Sequence, residues 1–145
     1  ICAAEDVGCA DPNALTVAVS AAQAVERIGL PEGQIPLAEA VAYVATAPKS
    51  NAACMGISKA MEAVKTRETP PVPVHLQDKH YKGAEKLGHG LGYKYAHDYP
   101  NHYVKQQYLP DGMEDEQFYF PTENGYEKQI RAHMERLERE SEKEK

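Results

Sequence analysis

Five of the six histidines of this 145-residue chain lie in one window, where imidazoles could bind a metal ion or act as general bases. They are His75, His80, His89, His97 and His102. A zinc site needs ligands at short paired spacings on a firm scaffold, and this window has neither HxxxH on a predicted helix nor a nearby cysteine. We therefore expect no metal site and interpret these imidazoles as hydrogen-bonding groups of an interaction surface.

Other polar residues do not predict catalysis. His97 and Asp98 could form an oriented general base, but no nucleophile accompanies them, because the serines lie in or beside predicted helices. The acidic run at residues 114–116 has no apolar surroundings that would separate the pKa values of its carboxyls. We expect no enzyme activity from this chain alone.

The glycine-rich stretch has the wrong spacing for a nucleotide site. Gly88, Gly90 and Gly92 alternate, whereas a phosphate-binding loop needs GxxxxGK[ST], and no predicted strand leads into them. The pattern instead favours a loop that needs positive φ or a close approach of backbone. The sequence thus predicts no cofactor bound to this chain.

The segment from Leu87 to Pro110 contains five of the nine tyrosines and has no helical or strand periodicity. Tyrosine supplies apolar area and a polar tip at small entropic cost, so the segment is predicted to be a contact surface. The candidate interface residues are Tyr93, Tyr95, His97, Tyr99, His102, Tyr103 and Tyr108.

Lysines alternate with these tyrosines, which is typical of surfaces that stack bases and bind phosphates. The candidate DNA contacts are Lys82, Lys86, Lys94 and Lys105. Acidic neighbours dilute the positive field, and tyrosine-rich surfaces are common between proteins, so a protein partner is favoured and DNA stays the alternative.

Overall composition limits the class of protein. The formal net charge of −6 gives no general attraction to nucleic acid. Cys2, Cys9 and Cys54 form no CxxC pair, which favours reduced thiols in the cytoplasm. No apolar run is long enough to cross a membrane and no signal peptide is apparent, so we expect a soluble protein. The chain opens at Ile1 without a Met or a helix cap, so we also expect further chain upstream.

Three helices are predicted in the first half of the chain. Asp11-Pro12 begins the first and Gly29 ends it, Ile35-Pro36 begins a second that Pro48 closes, and Ser50 caps a third that runs to about Thr66. The predicted buried stripes are Leu15, Val19, Ala22, Val25 and Ile28 in the first helix, Leu37, Ala40, Val41 and Val44 in the second, and Met55, Ser58, Met61 and Val64 in the third.

The remainder is predicted to be less regular. The proline-rich residues 69–73 form a strap, Tyr81 to Leu87 a short helix, and Phe118-Tyr119-Phe120 one side of a brief hairpin with a turn at Asp111-Gly112. A last helix runs from about Thr122 toward Lys145. We therefore predict one all-α domain, residues 1–145, with a helical bundle at 1–68, a strap and loops at 69–121, and a C-terminal helix at 122–145.

Two stretches carry a family resemblance, IPLAEAVAYVATAPKSNAA at residues 35–53 and LGHGLGYKYAHDYPNHYVKQQYLP at residues 87–110. Together with Glu5-Asp6-Val7-Gly8, they resemble the C-terminal region of the replication-associated recombination protein A family, also called MgsA. That family consists of AAA+ ATPases related to clamp loaders and to the eukaryotic Werner-helicase-interacting protein.

The resemblance implies a fold and a role. The fold would be a helical bundle similar to the clamp-loader C-terminal oligomerisation domain, which assembles the ATPase as a homotetramer. ATP and magnesium would bind in the missing AAA+ module, and the full-length DNA-dependent ATPase would act at replication forks and in recombination in the bacterial cytoplasm, associated with the nucleoid. DNA would be contacted through the full-length protein. The alternative is a DNA-binding module, or a docking module for a replication protein such as single-strand-binding protein.

Overall fold

The computed structural model describes residues 1–143, apart from the side chains of residues 85, 142 and 143. Its α-helices are α1 (Asn13–Ile28), α2 (Gln34–Thr46), α3 (Ala52–Thr66) and α4 (Glu127–Lys143). The other helical segments are a π turn at Ala3–Val7 and 3₁₀ turns at Gly8–Ala10, Val74–Leu76, Ala84–Leu87, Ala96–Asp98 and Pro100–His102. No strand occurs within residues 1–143, so the predicted all-α fold with a C-terminal helix is confirmed.

Tertiary contacts group the chain into two compact units. The first, here called the helical unit, contains Ile1–Met61 and Phe118–His133. The second, the loop-rich unit, contains Glu62–Gln117 and the chain from Met134 onward. The single domain with boundaries at residues 68 and 121 stays a prediction.

The predicted helix signals lie at the observed ends. Asp11 Oδ1 accepts a hydrogen bond from the Asn13 backbone N–H at 3.1 Å and so caps α1. Gly29, with φ of 71°, ends the helix by donating its N–H to the Val25 carbonyl. Ser50 Oγ accepts from the Ala52 N–H at 3.2 Å and begins α3. The starts and ends predicted for α1, α2 and α3 are therefore confirmed to within two residues.

Small residues fill the interior of the helical unit. Ala14 of α1 forms a buried cluster with Ala3 and Val7, and Tyr43 and Val44 of α2 pack against it. Among the described residues, eight of the eleven buried apolar side chains are alanine. The helices can approach closely because alanine keeps their inward faces flat.

The predicted buried stripes are wrong for α1 and α3. Val25 is half-buried, but the other residues of the α1 stripe are exposed, as are all four of the α3 stripe. In α2, Ala40 is buried and Val44 half-buried, whereas Leu37 and Val41 are exposed. Periodicity identified apolar helix faces, but the faces lined by alanine pack within the chain, and the faces with larger apolar side chains are exposed to solvent.

The predicted hairpin is also wrong. No ladder forms, because the aromatic run packs along α3, where the Gly56 backbone lies close to the Phe118 carbonyl and Lys59 Nζ lies 4.8 Å from the Phe120 ring centre. The prolines at 110 and 121 also lack the N–H groups that a ladder would use.

Two helices differ from the predictions. The helix predicted for Tyr81 to Leu87 is only the 3₁₀ turn Ala84–Leu87, and α4 begins at Glu127 rather than Thr122. The strap at residues 69–73 has no regular structure, in agreement with the prediction. The last two residues of the predicted C-terminal helix, 144 and 145, lie outside the described residues.

Candidate interaction surfaces

The helical unit exposes large apolar side chains on several helices. On α1, Leu15 and Val19 are 48% and 47% exposed, and on α3 Met55 and Ile57 are 46% and 62% exposed. Scattered exposed apolar residues are ordinary on protein surfaces, but contiguous apolar surface marks interaction sites. Leu15 and Val19 are four residues apart, as are Ile57 and the 48% exposed Met61, so each pair lies on one helix face that a partner could cover.

A buried carboxylate joins the start of α4 to the start of α3 in the helical unit. Glu127 is fully buried at the start of α4, and its Oε2 accepts hydrogen bonds from Ser50 Oγ at 2.7 Å, the Thr122 N–H at 2.8 Å and Thr122 Oγ1 at 2.7 Å. Its Oε1 accepts from the Tyr119 hydroxyl at 3.0 Å. The sequence interpretation missed this residue, and only the Ser50 cap hinted at it.

Hydrogen bonding determines the charge state of this network. Burial raises the pKa of Glu127, but the hydrogen bonds from Ser50, Thr122 and Tyr119 outweigh it, so the net pKa is lowered. Burial and the neighbouring carboxylate raise the pKa of Tyr119. Glu127 is thus ionised and Tyr119 protonated at neutral pH, which suits an acceptor and its donor.

In the loop-rich unit, glutamine side chains stabilise the segment from Leu87 to Pro110, here called the tyrosine segment. The Gln106 side chain accepts from the Lys94 N–H at 3.3 Å and donates to the Lys94 carbonyl at 3.0 Å, and it also donates to the Tyr108 hydroxyl at 3.2 Å. The Gln107 amide donates to Asp111 Oδ1 at 2.9 Å. Side chains thus replace the regular backbone bonding that this segment lacks.

Three of the predicted interface rings lie in a row. The ring centres of Tyr95 and His97 are 5.0 Å apart, and those of His97 and His102 are 4.9 Å apart. All three residues are exposed. The turn beneath them places Asn101 and His102 at φ of 55° and 54°, and Asn101 is anchored by a 2.7 Å hydrogen bond to Glu140.

The other predicted interface residues differ in exposure. Tyr93 and Tyr108 are exposed, whereas Tyr99 and Tyr103 are half-buried. Burial, with the negative charge of Glu138, raises the pKa of Tyr103. All seven predicted interface residues lie between positions 93 and 108 of the loop-rich unit, and their contact role stays a prediction.

The histidines are distributed among local hydrogen bonds. His75 Nε2 lies 2.7 Å from the Gln107 carbonyl, His80 Nδ1 lies 2.7 Å from Asp78, and His89 Nδ1 lies 2.6 Å from the Tyr81 hydroxyl. Hydrogen bonds from the His80 backbone and ring lower the pKa of Asp78. Among the side chains that the structure describes, no group of three or more His, Cys, Asp or Glu is placed to hold a metal ion.

The glycine loop matches its predicted role. Gly88, Gly90 and Gly92 all have positive φ, between 72° and 80°. At Gly90, a Cβ would lie 3.0 Å from two carbons of Lys79, and its N–H donates to the Val74 carbonyl at 2.8 Å. The predicted need for positive φ is confirmed at all three glycines, and Gly90 also has a close neighbour, the Lys79 side chain.

The predicted DNA contacts are all accessible. Lys82, Lys86, Lys94 and Lys105 are exposed in the loop-rich unit. As for membranes, the described part of the chain contains no helix with the length and apolar character needed to cross one.

The comparisons agree with the fold. The family described as MgsA AAA+ ATPase C terminal matches residues 1–138. An uncharacterised AAA domain-containing protein of Mycobacterium tuberculosis is 50% identical over 94% of this chain and 30% of its own length. Replication-associated recombination protein A of Bacillus subtilis is 46% identical over 86% of this chain and 30% of its length. The ATPase WRNIP1 of Dictyostelium discoideum is 36% identical over 81% of this chain and 14% of its length.

The helical fold and the family match place this chain in one class of protein region, the C-terminal helical regions of AAA+ ATPases. The chain belongs to the family of MgsA AAA+ ATPase C-terminal regions, which the replication-associated recombination proteins A share. It spans about 30% of the length of these bacterial relatives.

Proposed function

We propose that this chain is the self-assembly domain of an AAA+ ATPase and joins copies of the protein into a homotetramer. The proposal rests on one observation: the alanine faces of the helices are packed inside, whereas the faces with larger apolar side chains, which were predicted to be buried, are exposed. Among the described residues, the largest side chains with essentially no exposure are Glu127 and Val7. A single copy therefore leaves its main apolar surface unburied.

The energetic argument follows from the size of these side chains. Burying a Leu, Ile, Val or Met side chain contributes about 1.5–3 kcal/mol, whereas alanine contributes much less. Leu15, Val19, Met55 and Met61 are each close to half exposed and would gain from a partner surface. Obligate interfaces resemble a protein core cut in half, and these stripes have that composition.

The tyrosine segment is proposed as a further contact surface. Tyr95 is 53% exposed and Tyr108 54%, so both rings retain area for a partner. Tyr95→Ala or Tyr99→Ala should weaken assembly by a few kcal/mol if the ring is an anchor, as is typical of interface hot spots. Because Tyr99 is half-buried, circular dichroism must show that its variant still folds.

Assembly would serve the ATPase by holding its modules at fixed mutual positions. ATP and magnesium would bind in the AAA+ module and not in this chain. The full-length protein would be a DNA-dependent ATPase that acts at replication forks and in recombination, and the relatives named replication-associated recombination protein A support the link to replication and recombination. The bacterial cytoplasm, association with the nucleoid, and contact with single-strand-binding protein belong to the same proposal.

Sedimentation of the 145-residue chain over a wide concentration range tests the proposal. The expected species has four times the chain mass of 16.0 kDa. A strictly monomeric chain at the highest concentration would overturn self-assembly. ATP hydrolysis by this chain unaided would contradict its division of labour with the AAA+ module.

A second candidate is direct DNA contact through the loop-rich unit. It is favoured by the three exposed rings of Tyr95, His97 and His102, which lie next to one another. Exposed Lys94 and Lys105 are close to them in the sequence. Phosphate contacts release counterions, so DNA affinity should fall steeply with salt, whereas assembly through apolar surface should not. Fluorescence anisotropy with a single-stranded oligonucleotide at several salt concentrations separates the two.

A further inference from the structure

The outward side of α2 differs from an ordinary helix surface. A helix on the outside of a globular protein normally carries charged residues on its solvent side, whereas one that is apolar all round is buried in a larger structure. α2 packs inward through Ala40, Tyr43 and Val44. Its opposite side is exposed and, apart from Gln34 in the first turn, consists of Ile35, Ala38, Val41, Ala42 and Ala45. The one charged residue of α2, Glu39, is exposed at the edge of this side.

We infer that this outward side of α2 packs against α2 of a second copy of the chain, around a two-fold axis. The inference rests on the proposed self-assembly and specifies where it occurs. Ile35 is 73% exposed and Val41 68%, which places them among the most exposed large apolar residues of the described chain.

The first segment of the chain favours a second copy over the AAA+ module as the partner. Ala3 and Val7 pack with Ala14 in the cluster that also contains Tyr43 and Val44, on the inward side of α2. A module joined ahead of this segment is therefore attached on the inward side. The outward side points away from that attachment.

The shape of the outward side suits pairing with itself. Ile35 and Val41 project between the alanines at 38, 42 and 45, so an antiparallel second helix can place its large side chains over these alanines. Ile28 and Leu30, which precede α2 in the sequence, are 55% and 69% exposed. With Ile35 and Val41 they offer four large apolar side chains for the core of an interface, and a standard interface buries ~800 Å² of each partner.

An α2 pair also fits a tetramer. The commonest symmetric tetramers combine two-fold axes and need at least two different contacts. The α2 pair supplies one, and another surface, such as the bulky stripes or the tyrosine segment, supplies the second. Loss of the α2 contact alone should therefore leave dimers.

Cysteine cross-linking tests the pairing directly. Ala42 lies near the middle of the outward side, so two copies of A42C should approach each other at the axis and form a covalent dimer on mild oxidation. Q23C, at an exposed position on α1, is the matched control, since both variants retain the three native cysteines. The expected result is a mostly dimeric A42C band on non-reducing gels and little more than background for Q23C.

A charge substitution provides the second measurement. V41D would bury an unpaired carboxylate in the contact and should raise its dissociation constant about 100-fold or more, which lowers the sedimenting mass from tetramer to dimer. Q23D adds the same charge elsewhere on the helical surface and should leave the mass unchanged. Circular dichroism checks that both variants keep their helix content.

The outcomes separate the inference from the proposed function. If the unaltered chain assembles but A42C cross-links no more than Q23C, the α2 pairing is wrong and self-assembly stands. If V41D assembles as the unaltered chain does, the pairing is also wrong. If the unaltered chain is monomeric at every concentration, both fail. Should V41D lose its helix content, the A42C result decides.

Discussion

Replacement of Glu127 tests how the start of α4 is held in the helical unit. The carboxylate is fully buried and accepts four hydrogen bonds, three of them at Oε2. In Glu127→Gln, one amide oxygen can still accept from Ser50 and Thr122, but the bonds lose their charge. Since bonds to charged groups contribute about 1.5–3 kcal/mol and neutral ones about 0.5–1.5 kcal/mol, we expect a loss of about 2–3 kcal/mol.

Glu127→Ala should cost more than the glutamine variant. It leaves the Thr122 N–H and its hydroxyl without their acceptor and opens a cavity beside Ser50 and Tyr119. Each buried unsatisfied donor costs about 1–3 kcal/mol, so with partial relaxation we expect about 3–5 kcal/mol. That is a large part of the stability of a small protein, which is about 5–15 kcal/mol.

Urea unfolding followed by circular dichroism measures both variants. All samples need one protein concentration, because assembly contributes to apparent stability. Glu123→Ala is the matched control, since Glu123 is an exposed acid four residues earlier that pairs with Arg131 at 2.7 Å. An exposed ion pair contributes at most about 1 kcal/mol. A Glu127→Gln variant as stable as the Glu123→Ala variant would refute the assignment.

The pH dependence gives an independent check on the same carboxylate. Its folded pKa lies below the ordinary value of 4.5, so the unfolded chain takes up the proton first as the pH falls. The stabilisation is therefore complete above about pH 4.5 and is lost as the pH falls through the folded pKa. The stability gap between wild type and Glu127→Gln should narrow over that acid range, and a constant gap between pH 7 and pH 3 would show that the charge is not the cause.

Three further substitutions test local contacts in the helical unit. Gly125→Ala should lower the free energy of unfolding by about 2–4 kcal/mol, because its Cβ would collide with the Ala10 carbonyl that accepts the Tyr126 N–H. Gly29 also has positive φ but has open space around it, so Gly29→Ala should cost about 1 kcal/mol. Equal losses of stability in thermal melts would contradict the collision. Lys49→Met should lower the free energy of unfolding by about 1 kcal/mol, because the Lys49 ammonium donates hydrogen bonds to three carbonyls near the end of α2. An unchanged urea midpoint would show that water can hydrogen-bond these carbonyls equally well.

The helix ends were predictable because their signals are local. Asp11, Gly29 and Ser50 act on backbone groups within four residues, so their effect is written in the adjacent sequence. The positive φ of the glycine loop was predictable for the same reason. The start of α4 was not, because it depends on Ser50, which lies 77 residues from Glu127 along the chain.

The reversed helix faces have a different cause. Periodicity measures which side of a helix is apolar, but it does not say whether the covering surface comes from the same chain. On α1, the side with Ala14 and Ala21 packs within the helical unit, and the side with Leu15 and Val19 is exposed. Under the proposed self-assembly, the sequence pattern would describe the assembled state, and a single copy would show the bulky face uncovered. By this reasoning, the faces on which periodicity and burial disagree are the ones to mutate first in a search for subunit contacts.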